Sequence, residues 1–138
     1  MSMKEMIDKF PAEAFSHYSD EAAKEFYKRL KEKKLCTTKC KSCAHVNLPP
    51  KLFCEKCLCR GVEWIELPKR GTLYAFTQQE RSLRFGKPDC IGLVALDGIG
   101  KLLTRIDAPF ENLSIGIELE LAFIEVNSEI TLHQFRLV

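Results

Sequence analysis

No stretch of about 18 consecutive apolar residues occurs in the chain, and its first thirty residues do not combine a basic start with an apolar run of about 7–15. The expectation is a protein with neither membrane span nor signal peptide, placed in the cytoplasm. Histidine is scarce, with three residues, and no two of them share a motif. His17 precedes the first clear helix, His45 lies among the cysteines described below, and His133 falls in the last apolar run, where the alternation Thr131, His133, Phe135 is read as outward-facing. A base beside a nucleophile and an orienting group is what independent catalysis needs, and no such set is legible. Glu118, Glu120 and Glu125 share one strand-like run, which a solvated sheet surface explains more simply than a general acid and base. The stretch from Ala95 to Leu102 imitates the end of a phosphate loop but lacks its first Gly and a hydroxyl residue after Lys101. Internal repeats, low-complexity segments and a strong charge of one sign are also missing. The net charge is +2, and residues 71–138 hold six basic against nine acidic side chains, so a broad basic nucleic-acid footprint is excluded.

Cysteine, by contrast, is plentiful. There are seven, and six fall within residues 35–60, a segment with few large aliphatic side chains. Such a piece cannot bury enough apolar area to order itself without a cross-link. Cys40, Cys43, Cys54 and Cys57 follow the pattern C-x2-C-x10-C-x2-C. Each pair can present two thiolates from one tight turn, and two facing turns make the tetrahedral four-sulfur site that Zn2+ accepts. A closed site of this kind leaves no position for a metal-bound water, which favours a structural over a catalytic ion. Rubredoxin-like iron would take the same four thiolates. A thioredoxin-like dithiol needs a strand-to-helix setting in an α/β sheet, which is not in evidence. Cys36 and Cys59 lie close enough in sequence to be alternative ligands, His45 reads as a surface loop residue, and Cys90 as a small buried side chain at the start of a strand. With four thiolates and one dication in place, residues 35–70 fall from seven basic against three acidic groups to about +2.

Around the cysteines, periodicity supplies the remaining layout. From Ser19 to Lys34, Ala22, Ala23, Phe26, Tyr27 and Leu30 recur at helical spacing, with Ser19 or Asp20 as cap; the resulting apolar face can cover the protein's own body or a partner. For residues 1–18, with Phe10-Pro11 and Phe15, the expectation is another helical turn or a flexible arm. Trp64 to Leu67 alternates like a strand. Beyond Pro68 five runs rich in β-branched and aromatic residues follow, at 71–79, 89–97, 101–107, 117–126 and 130–138, with a tight hairpin at Asp97 to Gly100 and room for one helical turn in "APFENLSIG". Five strands with an irregular link after the third is the layout of an OB-fold barrel. The expected chain is mainly β with an N-terminal helix: a helical segment at 1–34, a four-cysteine zinc ribbon at 35–67 and a five-stranded OB-fold at 68–138.

The order "KRLKEKKLCTTKCKSCAHVNLPPKLFCEKC", a tryptophan, "KRGTLYAFTQ", "IGLVALDG", "LLTRI", "LSIGIELEL" and "FRLV" resembles the rubredoxin-like zinc-ribbon and OB-fold family formerly labelled domain of unknown function 35, over roughly residues 20–138. Members commonly carry Gly after the second and fourth cysteines, where this chain has Ala44 and Leu58, and Arg after the two prolines, where it has Lys51. The resemblance implies structural Zn2+ and a non-catalytic accessory subunit of a thiolase-type acyl-CoA enzyme. It implies a hetero-oligomer in which ribbon and helix clasp the catalytic subunit and the barrel sits near the coenzyme A entrance. Reactions of that class include Claisen condensation and thiolytic cleavage, of acetoacetyl-CoA or benzoylsuccinyl-CoA type, and retro-aldol cleavage of a steroid side chain. In that setting the link at 78–89 offers Arg81, Arg84 and Lys87 for the phosphates of coenzyme A and Phe85 for its adenine or pantetheine; a solvated loop is the simpler alternative. The competing class is a nucleic-acid-binding module, a common use of both folds, but "CIGLVALD" and "KLLTRID" lack the aromatics on which bases stack.

Overall fold

A computed structural model describes residues 21–80 and 88–138. Helix α1 spans Glu21–Lys31, and three strands follow: β1 Cys36–Cys40, β2 Val46–Asn47 and β3 Val62–Glu66. These form a small antiparallel sheet in the order β2-β1-β3. Five further strands, β4 Arg70–Gln79, β5 Asp89–Leu96, β6 Gly100–Asp107, β7 Glu118–Glu125 and β8 Thr131–Leu137, close a barrel in the order β4-β5-β6-β8-β7. A 3-10 turn at Phe110–Asn112 occupies the link between β6 and β7. Among the described residues no helix is long and apolar enough to cross a membrane.

Closure depends on one parallel pairing. β8 runs antiparallel to β7 but parallel to β6, through Arg105↔Gln134 and Ile106↔Phe135, and this join removes the free edges that an open sheet would expose. Inside, alternate residues of the strands point inward, so Leu73, Val94, Ile106, Leu119 and Phe135 are almost fully buried. Two glycines mark tight spots. A Cβ at Gly92 would meet the Ala75 carbonyl oxygen at 2.7 Å and Leu73 Cδ1 at 3.1 Å, and one at Gly71 would collide with Val94 Cγ1.

The apolar face of α1 covers the protein's own body. Ala22 and Leu30 are fully buried, Leu30 joins Leu35 and Leu67 in the barrel's core cluster, and the helix lies against β8 and β1. On its outer side Glu25 accepts from Arg29 at 2.9 Å, and the Arg29 guanidinium sits 5.1 Å from the Trp64 ring. The helix ends in a left-handed residue, Lys33 at φ 62°, whose N–H donates to Leu30 O at 2.9 Å while that of Lys34 donates to Arg29 O at 3.0 Å. Leu67 N–H then donates to Leu35 O at 2.8 Å and ties the two ends of the ribbon together where they meet the barrel.

One expectation is corrected. His133 does not face outward. It shares its side of β8 with Thr131 and with the fully buried Phe135, its Nδ1 lies 2.7 Å from Thr104 Oγ1 on β6, and the Phe26 ring of α1 meets it edge-on at 6.0 Å. Alternation separates two faces of a strand without saying which is inward; the polar Thr and His suggested water, whereas Phe135 fixes that face as the interior. Ser19, Asp20 and residues 1–18 lie outside the described residues.

Candidate metal centre

Both C-x-x-C pairs are built as the same turn. Cys40 ends β1; its N–H donates to His45 O at 2.8 Å and its carbonyl accepts from Ala44 N–H at 3.1 Å. In the second turn Cys54 N–H donates to Cys59 O at 2.7 Å and Cys54 O accepts from Leu58 N–H at 2.9 Å. Each turn aims two backbone N–H groups at its first sulfur: Ser42 and Cys43 at Cys40 Sγ, at 3.3 and 3.4 Å, and Lys56 and Cys57 at Cys54 Sγ, both at 3.4 Å. Closing each turn takes a left-handed residue, and those residues are Ala44 and Leu58, both at φ 63°. They are the two positions where the resembling family commonly has Gly. The chain therefore keeps the turn and carries the backbone strain that Gly would avoid.

Across the turns Cys40 Sγ lies 3.6 Å from Cys57 Sγ and Cys43 Sγ 3.5 Å from Cys54 Sγ, and all four sulfurs lie within 4.8 Å of one another. Metal–sulfur bonds of about 2.3 Å in a tetrahedron require sulfurs about 3.8 Å apart, so the set fits a metal ion without rearrangement of the chain. Its electrostatics point the same way. The Cys43 N–H draws the Cys40 thiol below its ordinary value despite burial. Burial opposes ionisation of Cys54, yet the N–H groups of Cys57 and Lys56 prevail and bring its pKa down to about 7. For Cys57 the Cys59 N–H favours the thiolate, but burial and the neighbouring sulfurs outweigh it and push the pKa up to about 12. Cys43 is raised in the same way, its bond from the His45 N–H being outweighed by burial and by Cys54 and Cys40. The two buried thiols thus lie below their ordinary value and the two exposed ones above it. A cation bound by Cys40, Cys43, Cys54 and Cys57 would supply compensating charge and let all four serve as thiolates.

The other cysteines stand apart from this set. Cys36 is buried at the far end of β1, Cys90 is buried in the barrel, and Cys59 places its sulfur 3.4 Å from Ser42 Oγ. His45 turns to Glu55, Nε2 to Oε1 at 3.1 Å, while Lys51 holds the other carboxylate oxygen at 2.9 Å. Lys51 first, and His45 second, keep the Glu55 carboxyl below its usual range. The three glutamates of β7 each meet a cation: Glu118 with Arg70 at 3.3 Å, Glu120 with Arg136 at 2.9 Å and Glu125 with Lys33 at 2.8 Å. Arg81, Arg84, Phe85 and Lys87 lie outside the described residues.

Sequence reasoning passed over a second polar cluster. Arg105 reaches Asp89 at 2.9 Å, Asp107 at 3.3 Å and Gln134 Oε1 at 2.5 Å, beside a cleft of about 440 Å³ that includes Cys90 and Phe110. Burial pushes the Asp89 carboxyl up, with Arg105 opposing. The available signal was weak: Asp89 opens a strand and Arg105 interrupts an aliphatic one, and only the register Ile91↔Arg105 brings them side by side.

The fold and the sulfur cluster define a class, a four-cysteine ribbon joined to an OB-fold barrel. Residues 64–123 match the family model described as ChsH2, C-terminal OB-fold domain. Among solved structures, the one described as "Ltp2-ChsH2(DUF35) aldolase" superposes with a TM-score of 0.77 at 22% identity, over 85% of this chain and 94% of that one. A protein of unknown function from the DUF35 family of Sulfolobus solfataricus superposes with a TM-score of 0.60 at 21% identity, over 86% of each chain. Over residues 64–123 the chain is thus similar to that family, and it shares the fold of both solved structures.

Proposed function

We propose that the chain is a non-catalytic accessory subunit of a thiolase-type acyl-CoA enzyme, held in shape by one structural Zn2+. The observation that carries this reading is the ribbon tip. Beside a closed four-sulfur cluster, Leu52, Phe53 and Leu58 leave 44%, 44% and 73% of their surface in water, a cost that a docking surface explains and a free-standing ribbon does not. The likeness in fold to the ChsH2-containing aldolase supports it. In this reading the catalytic residues belong to the partner, and the chain docks on it and helps to shape or stabilise its coenzyme A site. Arg81, Arg84 and Lys87 would meet the phosphates of coenzyme A and Phe85 its adenine or pantetheine. A reducing, cytoplasmic setting is part of the proposal and suits a chain whose seven cysteines form no disulfide.

The nucleic-acid reading meets a specific difficulty. The outer faces of β5 and β6 present Ile91, Leu93, Ala95, Lys101, Leu103 and Arg105, none of them a ring on which a base could stack. The test is affinity purification of the tagged chain from its native cells, with co-purifying chains identified by mass and metal by elemental analysis. A near-stoichiometric thiolase-like enzyme with one zinc per chain is expected, and acyl-CoA turnover at full rate only when both subunits are present. Nucleic acid without an enzyme, or full activity from either subunit alone, overturns the proposal.

A further inference from the structure

The ribbon has almost no apolar interior of its own, yet its second cysteine turn is fixed against its first. A polar clamp does this. Asn47, on β2, is fully buried. Its Nδ2 donates to Thr38 Oγ1 at 3.0 Å and to Phe53 O at 2.9 Å, while its Oδ1 accepts from Glu55 N–H at 3.2 Å. Phe53 and Glu55 are the residues on either side of Cys54. One side chain therefore holds both peptide groups that flank a ligand.

Thr38, equally buried, anchors the clamp to the other half of the centre. It pairs with Asn47 in the β1–β2 register and lies two residues before Cys40. Its hydroxyl donates to Lys51 O at 2.6 Å and accepts Lys51 N–H at 3.1 Å, which fixes the loop after Pro49 and Pro50. Thr37 completes the set by donating to Asn47 O. The side chains of Thr37, Thr38 and Asn47 thus all have partners, and away from water such bonds are stronger than at a surface.

We infer that Asn47 and Thr38 are positioning residues of the metal centre: in the folded ribbon they set the reach from Cys40 to Cys54, so that the four sulfurs stand at the spacing the ion needs. They touch no metal. Their effect runs through the backbone of Cys54, as outer groups elsewhere orient metal ligands. The inference goes beyond the accessory-subunit reading and depends only on the four sulfurs.

The test uses the full chain. Zn2+ affinity is measured by competition with a chromophoric chelator, and Co2+ is substituted to read the ligand-field and thiolate-to-metal bands of a four-sulfur tetrahedron. Asn47→Ala and Thr38→Val are expected to weaken Zn2+ binding by about 10–100-fold and to alter the Co2+ ligand-field bands, with the barrel still folded. Thr38→Ser, which keeps the hydroxyl, should retain wild-type affinity and spectrum. If Asn47→Ala fails to fold, the Thr38 pair decides. Wild-type affinity and spectrum in Thr38→Val, or equal losses in Thr38→Val and Thr38→Ser, overturns the inference. A wild-type chain that takes up no Co2+ overturns the inference together with the metal assignment, whereas a centre that loads normally in a chain without an enzyme partner leaves the inference standing and removes only the accessory-subunit reading.

Discussion

Acidification should destabilise the barrel through His133. Burial of its ring lowers the imidazole pKa to about 4, against 6.5 for the free side chain. A base whose folded pKa lies below its unfolded one imposes no penalty above the unfolded value, where both states are neutral. As pH falls through 6.5 the unfolded chain takes up a proton that the folded chain refuses, and stability declines until the folded pKa is reached. From about pH 7 to about pH 5 this amounts to roughly 2 kcal/mol, and nearly all of the full loss of about 3 kcal/mol is reached near the folded pKa. Two other groups of residues titrate in the same range, because thiolate ligands release metal and surface carboxylates lose their ion pairs. The assay is therefore a difference: urea unfolding of the barrel at a series of pH values for the wild type and for His133→Asn, which keeps a polar group to face Thr104 but cannot take a proton. Metal release and carboxylate titration are common to both and cancel. The wild-type curve should fall away from that of the variant by about 2 kcal/mol by pH 5. Parallel curves would refute the reasoning and place the ring in water.

The remaining predictions concern packing and strain. Leu30→Ala removes a fully buried side chain shared by helix, ribbon base and barrel, and should cost about 2–5 kcal/mol in chemical denaturation; a cost under about 1 kcal/mol would mean that α1 is loosely held. Gly92→Ala forces a methyl against a backbone carbonyl at 2.7 Å and should lower stability by about 1–3 kcal/mol in the same measurement, a neutral result showing that β4 can yield there. Ala44→Gly and Leu58→Gly relieve residues at φ 63° that cost about 1–2 kcal/mol each, so either should slow metal loss to a chelator, and faster loss would contradict the strain argument. Cys57→Ser should abolish stoichiometric metal and render residues 36–60 sensitive to protease while the barrel melts cooperatively; a variant that keeps wild-type resistance would show that the ribbon stands without its fourth sulfur.

Period-two alternation made the barrel legible. The runs expected at 101–107 and 117–126 appear as Gly100–Asp107 and Glu118–Glu125, and the turn foreseen in "APFENLSIG" is Phe110–Asn112. The helix face was equally readable, because Ala22 and Leu30 recur at the spacing that buries one side. The clustering of Cys40, Cys43, Cys54 and Cys57 could be read from spacing alone, since a two-residue gap between cysteines forces the turn that places both sulfurs on one side. His133 could not be placed, because alternation does not say which face turns inward. Asn47 and Thr38 were invisible for a different reason: their partners lie across the ribbon sheet and in the loop before Cys54, and nothing local to "CTTKC" or "HVNLPP" announces them. Arg105 and Asp89 likewise meet only through strand register.

The packing of α1 against β8 also fixes a sequence of events during synthesis. The helix leaves the ribosome long before β8, and until that strand emerges its apolar side has only β1 and the base of the ribbon to rest on. The ribbon is under no such constraint, since all four sulfurs and their clamp are translated before β4 begins. A nascent chain can thus load metal and finish its ribbon while the barrel is still an open sheet. The parallel join of β8 to β6 then closes the barrel and seats the helix in a single late step.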